Sequence, residues 1–187
     1  MKISSTSLPG VLIIEPCIFE DERGFFMETY HRRRYSETGI KVIFVQDNLS
    51  HSIRGTLRGL HYQLRHPQAK LVQVIKGSIL DVAVDIRRGS PTFGQWTGVH
   101  LSDENRCQVF IPEGFAHGFC VISETADVIY KCTDFYVPDA EGGILWSDPA
   151  LSIDWPVPDL LISPKDSQYP CLRDIPDKRL PIYEDRI

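Results

Sequence analysis

A chain of 187 residues is long enough for one domain with a sizeable core, and its 42% apolar and 24% charged residues are ordinary for a globular protein. A formal net charge of -5 argues against nucleic acid as a partner, though a local basic patch could still hold a small phosphate-bearing ligand. No apolar run nears the ~20 residues of a membrane span, and Met1-Lys2-Ile3-Ser4-Ser5 leads into no signal-peptide core, so a cytoplasmic location is expected.

Taken in order, Gly10 to Glu15 reads as a strand ended by Pro16. Phe25 to Tyr30 is compatible with strand or loop. His31 to Thr38, with Arg32, Arg33 and Arg34, predicts a short polar helix closed by Gly39. Val42 to Val45 predicts a strand leading into Gln46-Asp47-Asn48. Runs rich in β-branched residues follow: Lys70 to Ile75, Ser78 to Ile86, Gln95 to Leu101, Gln108 to Ile111, Gly118 to Ile122 and Ala126 to Cys132. Lys76-Gly77 and Arg88-Gly89-Ser90-Pro91 supply turns. Many short strands at roughly 8–12-residue spacing predict an all-β antiparallel sandwich or barrel. No long helical periodicity interrupts them, which disfavours a parallel α/β sheet. From Pro156 the chain is rich in proline and charge, so residues 156–187 are expected as loops and one or two short helices packed on the barrel. No repeat or second-domain boundary is visible, so residues 1–187 read as one domain.

The five cysteines, Cys17, Cys107, Cys120, Cys132 and Cys171, are odd in number and form no Cys-x-x-Cys pair. Reduced, buried thiols are expected rather than disulfides or zinc ligands.

Leu57-Arg-Gly-Leu-His-Tyr-Gln63 places a cation, an imidazole and an amide within six residues of one another. On a strand, His61 and Gln63 share a face. Gly59 lets the backbone bend there or be closely approached. This could be a polar pocket that holds an anion and moves a proton, or a surface hairpin with ordinary polar decoration. Ile111-Pro-Glu-Gly-Phe-Ala-His-Gly-Phe119 has the Pro-x-Gly-x-x-His spacing of the second motif of the cupin superfamily, whose small antiparallel barrel points this histidine into its mouth. The first cupin motif usually offers His-x-His and a later Glu; here the matching place reads His61-Tyr62-Gln63 with no glutamate in Leu64-Arg65-His66-Pro67-Gln68. Two imidazoles make a weak catalytic metal site, which normally has three protein ligands. His61 is then free to act as a base, being the side-chain type that titrates near neutral pH. In Asp81-Val-Ala-Val-Asp-Ile86 the aspartates alternate with Val82, Val84 and Ile86. Periodicity leaves open whether the acidic face meets solvent or lines the pocket.

Together with Arg23-Gly-Phe-Phe, Gln46-Asp-Asn, Lys70-Leu-Val, Tyr130-Lys-Cys-Thr, Glu141-Gly-Gly-Ile-Leu-Trp146 and Lys165-Asp166, these stretches resemble the dTDP-4-dehydrorhamnose 3,5-epimerase family from about Pro16 to about Asp166. The resemblance implies a cupin-type barrel or jelly roll with a few short peripheral helices, and a cofactor-free isomerase of dTDP-rhamnose synthesis. It implies His61 as base, Asp166 as its carboxylate partner, Tyr130 as acid on the opposite ring face and Lys70 beside the enolate oxygen. Asp81 and His117 would line the pocket, their pairing keeping the imidazole charged or fixing its tautomer. Arg58 and Arg23 match phosphate contacts. Glu28, Gln46, Asp47, Asn48, Gln63, Glu141 and Lys165 match other substrate-pocket positions, and Tyr136 a ring that stacks on thymine. The resemblance also implies a homodimer in which an N-terminal segment joins the neighbour's sheet, so that Arg23 to Glu28 reach the partner's pocket. Two positions depart from the pattern: Ala69 where glycine is frequent, and Pro164 before Lys165 where glutamate is usual. Neither removes a functional side chain. Two other readings are a related epimerase acting at one carbon, C3 or C5, and a metal-dependent cupin enzyme.

Overall fold

The structure, a computed structural model, describes residues 1–184. In chain order the strands are β1 (Lys2–Ser5), β2 (Leu12–Glu15), β3 (Ile18–Asp21), β4 (Gly24–Met27), β5 (Gln46–Ile53), β6 (Thr56–Gln63) and β7 (Lys70–Lys76). They continue as β8 (Ser78–Asp85), β9 (Trp96–Ser102), β10 (Gln108–Ile111), β11 (Phe115–Val121), β12 (Thr125–Cys132), β13 (Glu141–Gly143) and β14 (Leu161–Ile162). One α-helix, α1 (Arg32–Glu37), lies between β4 and β5. One sheet runs β1-β2-β10-β7-β12-β5 and the other β13-β6-β11-β8-β9, with β14 added to β6. β14 runs parallel to β6, whereas β6 pairs antiparallel with β11 and β13. β3 and β4 make a hairpin of their own. This is the expected all-β, cupin-type architecture with few helices.

The inner faces of the two sheets build the main core. Val72, Val74, Val109, Ile111 and Val128 from the first sheet meet Ile79, Ala83, Phe115, Phe119 and Val121 from the second. They sit at alternate positions on their strands, as the pleat requires. β8 is buried on both faces. Val82, Val84 and Ile86 enter a second cluster with Leu172, Ile175 and Leu180, so apolar side chains of the C-terminal tail pack against the outside of that sheet. The aspartates of β8 therefore meet no solvent: Asp81 is 2% and Asp85 0% exposed. Asp85 is satisfied by three N–H groups of Arg87 and by the hydroxyls of Ser90 and Thr92.

The helix forms as its residues dictate. His31 caps it, its ring nitrogen accepting from the Arg34 N–H, and Gly39 follows at φ +98. Four elements differ from expectation. Val42 to Val45 is not a strand: Val42 and Phe44 pack on a core cluster around Tyr35, while Ile43 and Val45 are exposed. The strand begins at Gln46 instead, in the polar run. β1 completes the first sheet beside β2 from a segment that carried no strong signal. The tail holds three 3-10 turns (Asp166–Gln168, Leu172–Asp174, Asp177–Arg179) and the short β14, where one or two helices were expected; the end of the expected 156–187 segment, residues 185–187, lies outside the described residues. All five thiols are free, but only Cys120 and Cys132 are buried; Cys17 is exposed. Among the described residues no helix is long and apolar enough to cross a membrane.

Candidate active site

The site forms where β6 and β11 cross closely. Gly59 sits at φ +131, and a Cβ there would lie 2.5 Å from the Gly118 Cα; a Cβ on Gly118 would lie 2.6 Å from the Arg58 carbonyl oxygen. Only glycines allow this approach, and the pairing slips between His117 and Phe119 as a bulge. His61 and His117 end up opposite each other on adjacent strands. Lys70, Tyr130 and Cys132 come from the facing sheet, on β7 and β12. One cavity of about 310 Å³ lies between these walls, lined by Gln46, Asn48, His61, Gln63, Lys70, His117, Tyr130, Cys132, Tyr136 and Glu141 among others.

Each ionisable group is held by a neighbour. His61 Nε2 lies 2.7 Å from Asp166 Oδ1, and the Gly59 N–H donates to the other carboxylate oxygen at 3.3 Å. Burial alone would raise the Asp166 pKa; the hydrogen bond and charge of His61, with the Gly59 N–H, outweigh it and leave this group below the ordinary carboxylate value. Asp166 is thus an anion fixed on Nε2, and Nδ1 is the ring nitrogen left over. Glu141 Oε1 lies 3.8 Å from that nitrogen, beyond hydrogen-bond reach. Glu141 accepts instead from the Tyr136 hydroxyl at 2.8 Å and from Lys165.

His117 Nε2 lies 2.8 Å from Asp81 Oδ2, and Lys70 Nζ lies 3.4 Å from His117 Nδ1. Burial lowers the His117 pKa, Asp81 opposes it, and the Lys70 charge adds to the lowering. A neutral ring with its proton on Nε2 satisfies both neighbours: it donates to Asp81 and accepts from Lys70. The Asp81 contact therefore fixes the tautomer rather than keeping the ring charged. Burial also lowers the Lys70 pKa, against the attraction of Cys132, Asp81 and Glu141. The Tyr130 phenol is pushed up, by burial first and by Cys132 and Glu141 next, with Arg58 opposing. It holds its proton at neutral pH and can give it away. The Cys132 thiol is likewise raised by burial and accepts from the Asn48 amide at 3.6 Å, so it is a neutral wall residue.

The remaining candidates divide in two. Gln46 and Asn48 point into the cavity from β5, and the Gln46 side-chain Oε1 accepts from the Tyr136 N–H at 2.9 Å. Gln63 lines the cavity, but its amide is spent on the chain: it donates to the carbonyls of His66 and Phe135 and accepts from the Val137 N–H. It holds the loop that presents Tyr136. Arg58 is exposed, its Nε donating to the Ser52 hydroxyl at 3.1 Å. Asp47, between Gln46 and Asn48, faces the other side of β5, away from this cavity, where it pairs with Lys131. Arg23 pairs with Asp21 on the exposed hairpin, and Glu28 with Arg34; neither reaches the cavity of its own chain. Among the described residues no three His, Cys, Asp or Glu side chains are grouped as metal ligands. Tyr169 escaped the sequence reading: its ring meets His61 edge-on, with centroids 5.7 Å apart. A lone tyrosine in a proline-rich tail carries no signal of its own.

The model of the family described as dTDP-4-dehydrorhamnose 3,5-epimerase matches residues 5–174. A dTDP-4-dehydrorhamnose 3,5-epimerase of Methanothermobacter thermautotrophicus is 57% identical over 178 residues, 94% of this chain and 96% of that protein. The crystal structure of a dTDP-6-deoxy-D-glucose-3,5-epimerase from Legionella pneumophila, in complex with dTDP-4-keto-L-rhamnose, superposes with a TM-score of 0.96 at 54% identity, covering 98% of both chains. A 3'-monoepimerase from Streptomyces bikiniensis, in complex with dTDP-quinovose, is similar at 34% identity and a TM-score of 0.89, covering 95% of this chain and 92% of that one.

Proposed function

Because this chain belongs to the dTDP-4-dehydrorhamnose 3,5-epimerase family, we propose that its cavity inverts C3 and C5 of dTDP-4-dehydro-6-deoxy-D-glucose to give dTDP-4-dehydro-L-rhamnose. The protein is an isomerase of the dTDP-rhamnose pathway. The C4 ketone acidifies the protons at C3 and C5. His61 Nδ1 removes one, and the electron pair moves onto the C4 oxygen as an enolate. Lys70 stands beside the developing oxyanion. Tyr130, on the facing sheet, returns a proton from the other ring face, so the centre inverts. The proton on His61 and the one lost from Tyr130 then re-equilibrate with water, ready for the second carbon. Asp166 keeps His61 in the tautomer whose Nδ1 is the acceptor and stabilises the imidazolium.

The observation that carries this reading is the placement of a carboxylate-backed imidazole and a protonated phenol on opposite walls of one cavity. Tyr136 stacks on the thymine, with Gln46, Asn48, Glu141 and Lys165 around the nucleoside, and Arg58 takes the diphosphate. His117 and Asp81 hold Lys70 at the sugar. Arg23, Glu28 and Asp47 act on this reading from the outer side of the fold. The molecule is a homodimer in which the β3–β4 segment reaches the neighbour's cavity. The exposed rings of Phe19, Phe25 and Phe26 on that hairpin, and exposed Leu49, Ile53 and Ile75 on the outer face of the first sheet, support this. Residues 1–187 act as one domain, in the cytoplasm.

The test is to incubate the enzyme with the ketosugar in deuterated water. Deuterium at both C3 and C5 of an L-rhamno product is expected. Label and inversion at one carbon only would put the protein with the mono-epimerases instead.

A further inference from the structure

The Glu141-Gly-Gly-Ile-Leu-Trp146 run contributes one carboxylate to the cavity, which leaves its two glycines unexplained. On β13, Gly142 pairs with Tyr62 and Gly143 with His61. Neither glycine has a positive φ, so backbone conformation does not require them. Space does. A Cβ on Gly143 would lie 2.3–2.4 Å from three ring atoms of Tyr169. The Tyr169 ring therefore occupies the space a side chain would take beside the strand partner of His61.

From that seat the ring meets the imidazole at 68° between planes. Tyr169 stands three residues past Asp166, just after the turn that delivers the carboxylate to Nε2. The carbonyl of the next residue, Pro170, accepts from the Leu145 N–H at 2.9 Å, locking the segment onto the end of the glycine run. Among the described residues the buried hydroxyl of Tyr169 meets no partner at hydrogen-bond geometry, the Lys165 ammonium being the cation nearest to act on it. Burial and the Glu141 charge push its pKa up to about 12 against the opposing pull of Lys165, so the phenol stays protonated. It is the ring of this residue, then, that has well-made contacts.

The imidazole has two carboxylates within reach of a modest rotation: Asp166 at 2.7 Å and Glu141 at 3.8 Å. Turning toward Glu141 would spend Nδ1 on a hydrogen bond and remove the base from the substrate. We infer that Tyr169 is a positioning residue of the epimerase, whose ring, seated against Gly143, keeps His61 on Asp166 and away from Glu141. This rests on the reading of His61 as the base. Displacements of about 1 Å at a reacting group can cost ~100-fold in rate, so a small swing is enough to matter.

The experiment compares Tyr169→Leu, Tyr169→Phe, Gly143→Ala and His61→Ala with the wild-type enzyme. Turnover, dTDP affinity and the downfield proton resonance of the His61–Asp166 hydrogen bond are measured. Tyr169→Leu is expected to lower kcat about 10- to 100-fold, with KM and dTDP affinity within about threefold, and to lose the downfield resonance. Tyr169→Phe keeps the ring and should rescue both kcat and the resonance. Gly143→Ala, which pushes the ring out of its seat, should behave as Tyr169→Leu and serves if that variant does not fold. Wild-type kcat in Tyr169→Leu, or equal loss in Leu and Phe variants, overturns the inference. His61→Ala separates the two levels: full turnover in that variant removes the base itself, whereas an inactive His61→Ala beside a fully active Tyr169→Leu removes only the role of the ring.

Discussion

Replacing Asp166 with asparagine tests the dyad most directly. The carboxylate has two acceptor oxygens in use, one on His61 Nε2 at 2.7 Å and one on the Gly59 N–H at 3.3 Å. An amide has one. With its oxygen toward His61, the charge is lost and the NH2 group faces the Gly59 N–H, donor against donor. A hydrogen bond to a charged partner is worth about 1.5–3 kcal/mol. At ~1.36 kcal/mol per decade that is a loss of roughly 13- to 160-fold in kcat. With its NH2 toward His61, the amide favours the ring tautomer that carries its proton on Nδ1, the atom required to be the base. The loss is then larger, on the scale of the ~10⁴ seen for the same change in serine proteases. The assay is steady-state turnover with dTDP affinity by calorimetry. kcat should fall at least tenfold, with affinity within about threefold. A kcat within twofold of wild type would refute the idea that this carboxylate sets the state of His61.

Four further outcomes are expected. Tyr130→Phe removes the proton donor and should lower the yield of inverted product by about 10²–10⁴, with dTDP binding retained, as measured by turnover and calorimetry. Lys70→Met should reduce kcat about 100-fold or more. His117 gives a pH signature in urea titrations. Its folded pKa is lowered, so below the unfolded value of about 6.5 the unfolded chain binds a proton that the folded one resists. Stability should therefore fall as pH drops from about 6.5 toward the folded value, and His117→Gln should flatten that interval; an unchanged slope would count against it. On the proposed dimer, Phe26→Asp should leave a monomer by sedimentation and lower turnover with it, since that reading sends Arg23 and Glu28 into the neighbour's cavity.

Much of this was legible in the chain. β7 to β12 follow runs of β-branched residues and turn signals, and the helix announces itself by His31 and Gly39. The two motifs around His61 and His117 were visible because glycine, histidine and proline at fixed offsets have few other uses. What stayed hidden has physical causes. β5 reads Gln-Asp-Asn-Leu-Ser-His-Ser-Ile, a poor strand by hydrophobicity. Its polar residues Gln46, Asn48 and Ser52 turn inward, while Leu49 and Ile53 are 70% and 56% exposed. The usual inside-out rule is reversed because the inside is partly a ligand cavity. Val42 to Val45 misled for the opposite reason: its apolar alternation serves packing on the Tyr35 cluster without a ladder. The acidic face of β8 could not be placed, because alternation says which residues share a side and not what that side meets. Gln63 does line the cavity, but a motif position says nothing of the partners its amide finds, here the carbonyls of His66 and Phe135 and the Val137 N–H.

The close crossing at Gly59 and Gly118 has a consequence for how such a pocket can be remodelled. Neither position can gain a methyl group without forcing the strands apart, and a shift of either strand carries a histidine with it. The wall that bears the imidazoles is in effect a single casting. A redesign of this pocket has to keep both glycines and work instead through side chains on the facing β7 and β12 wall and on the loop that carries Tyr136.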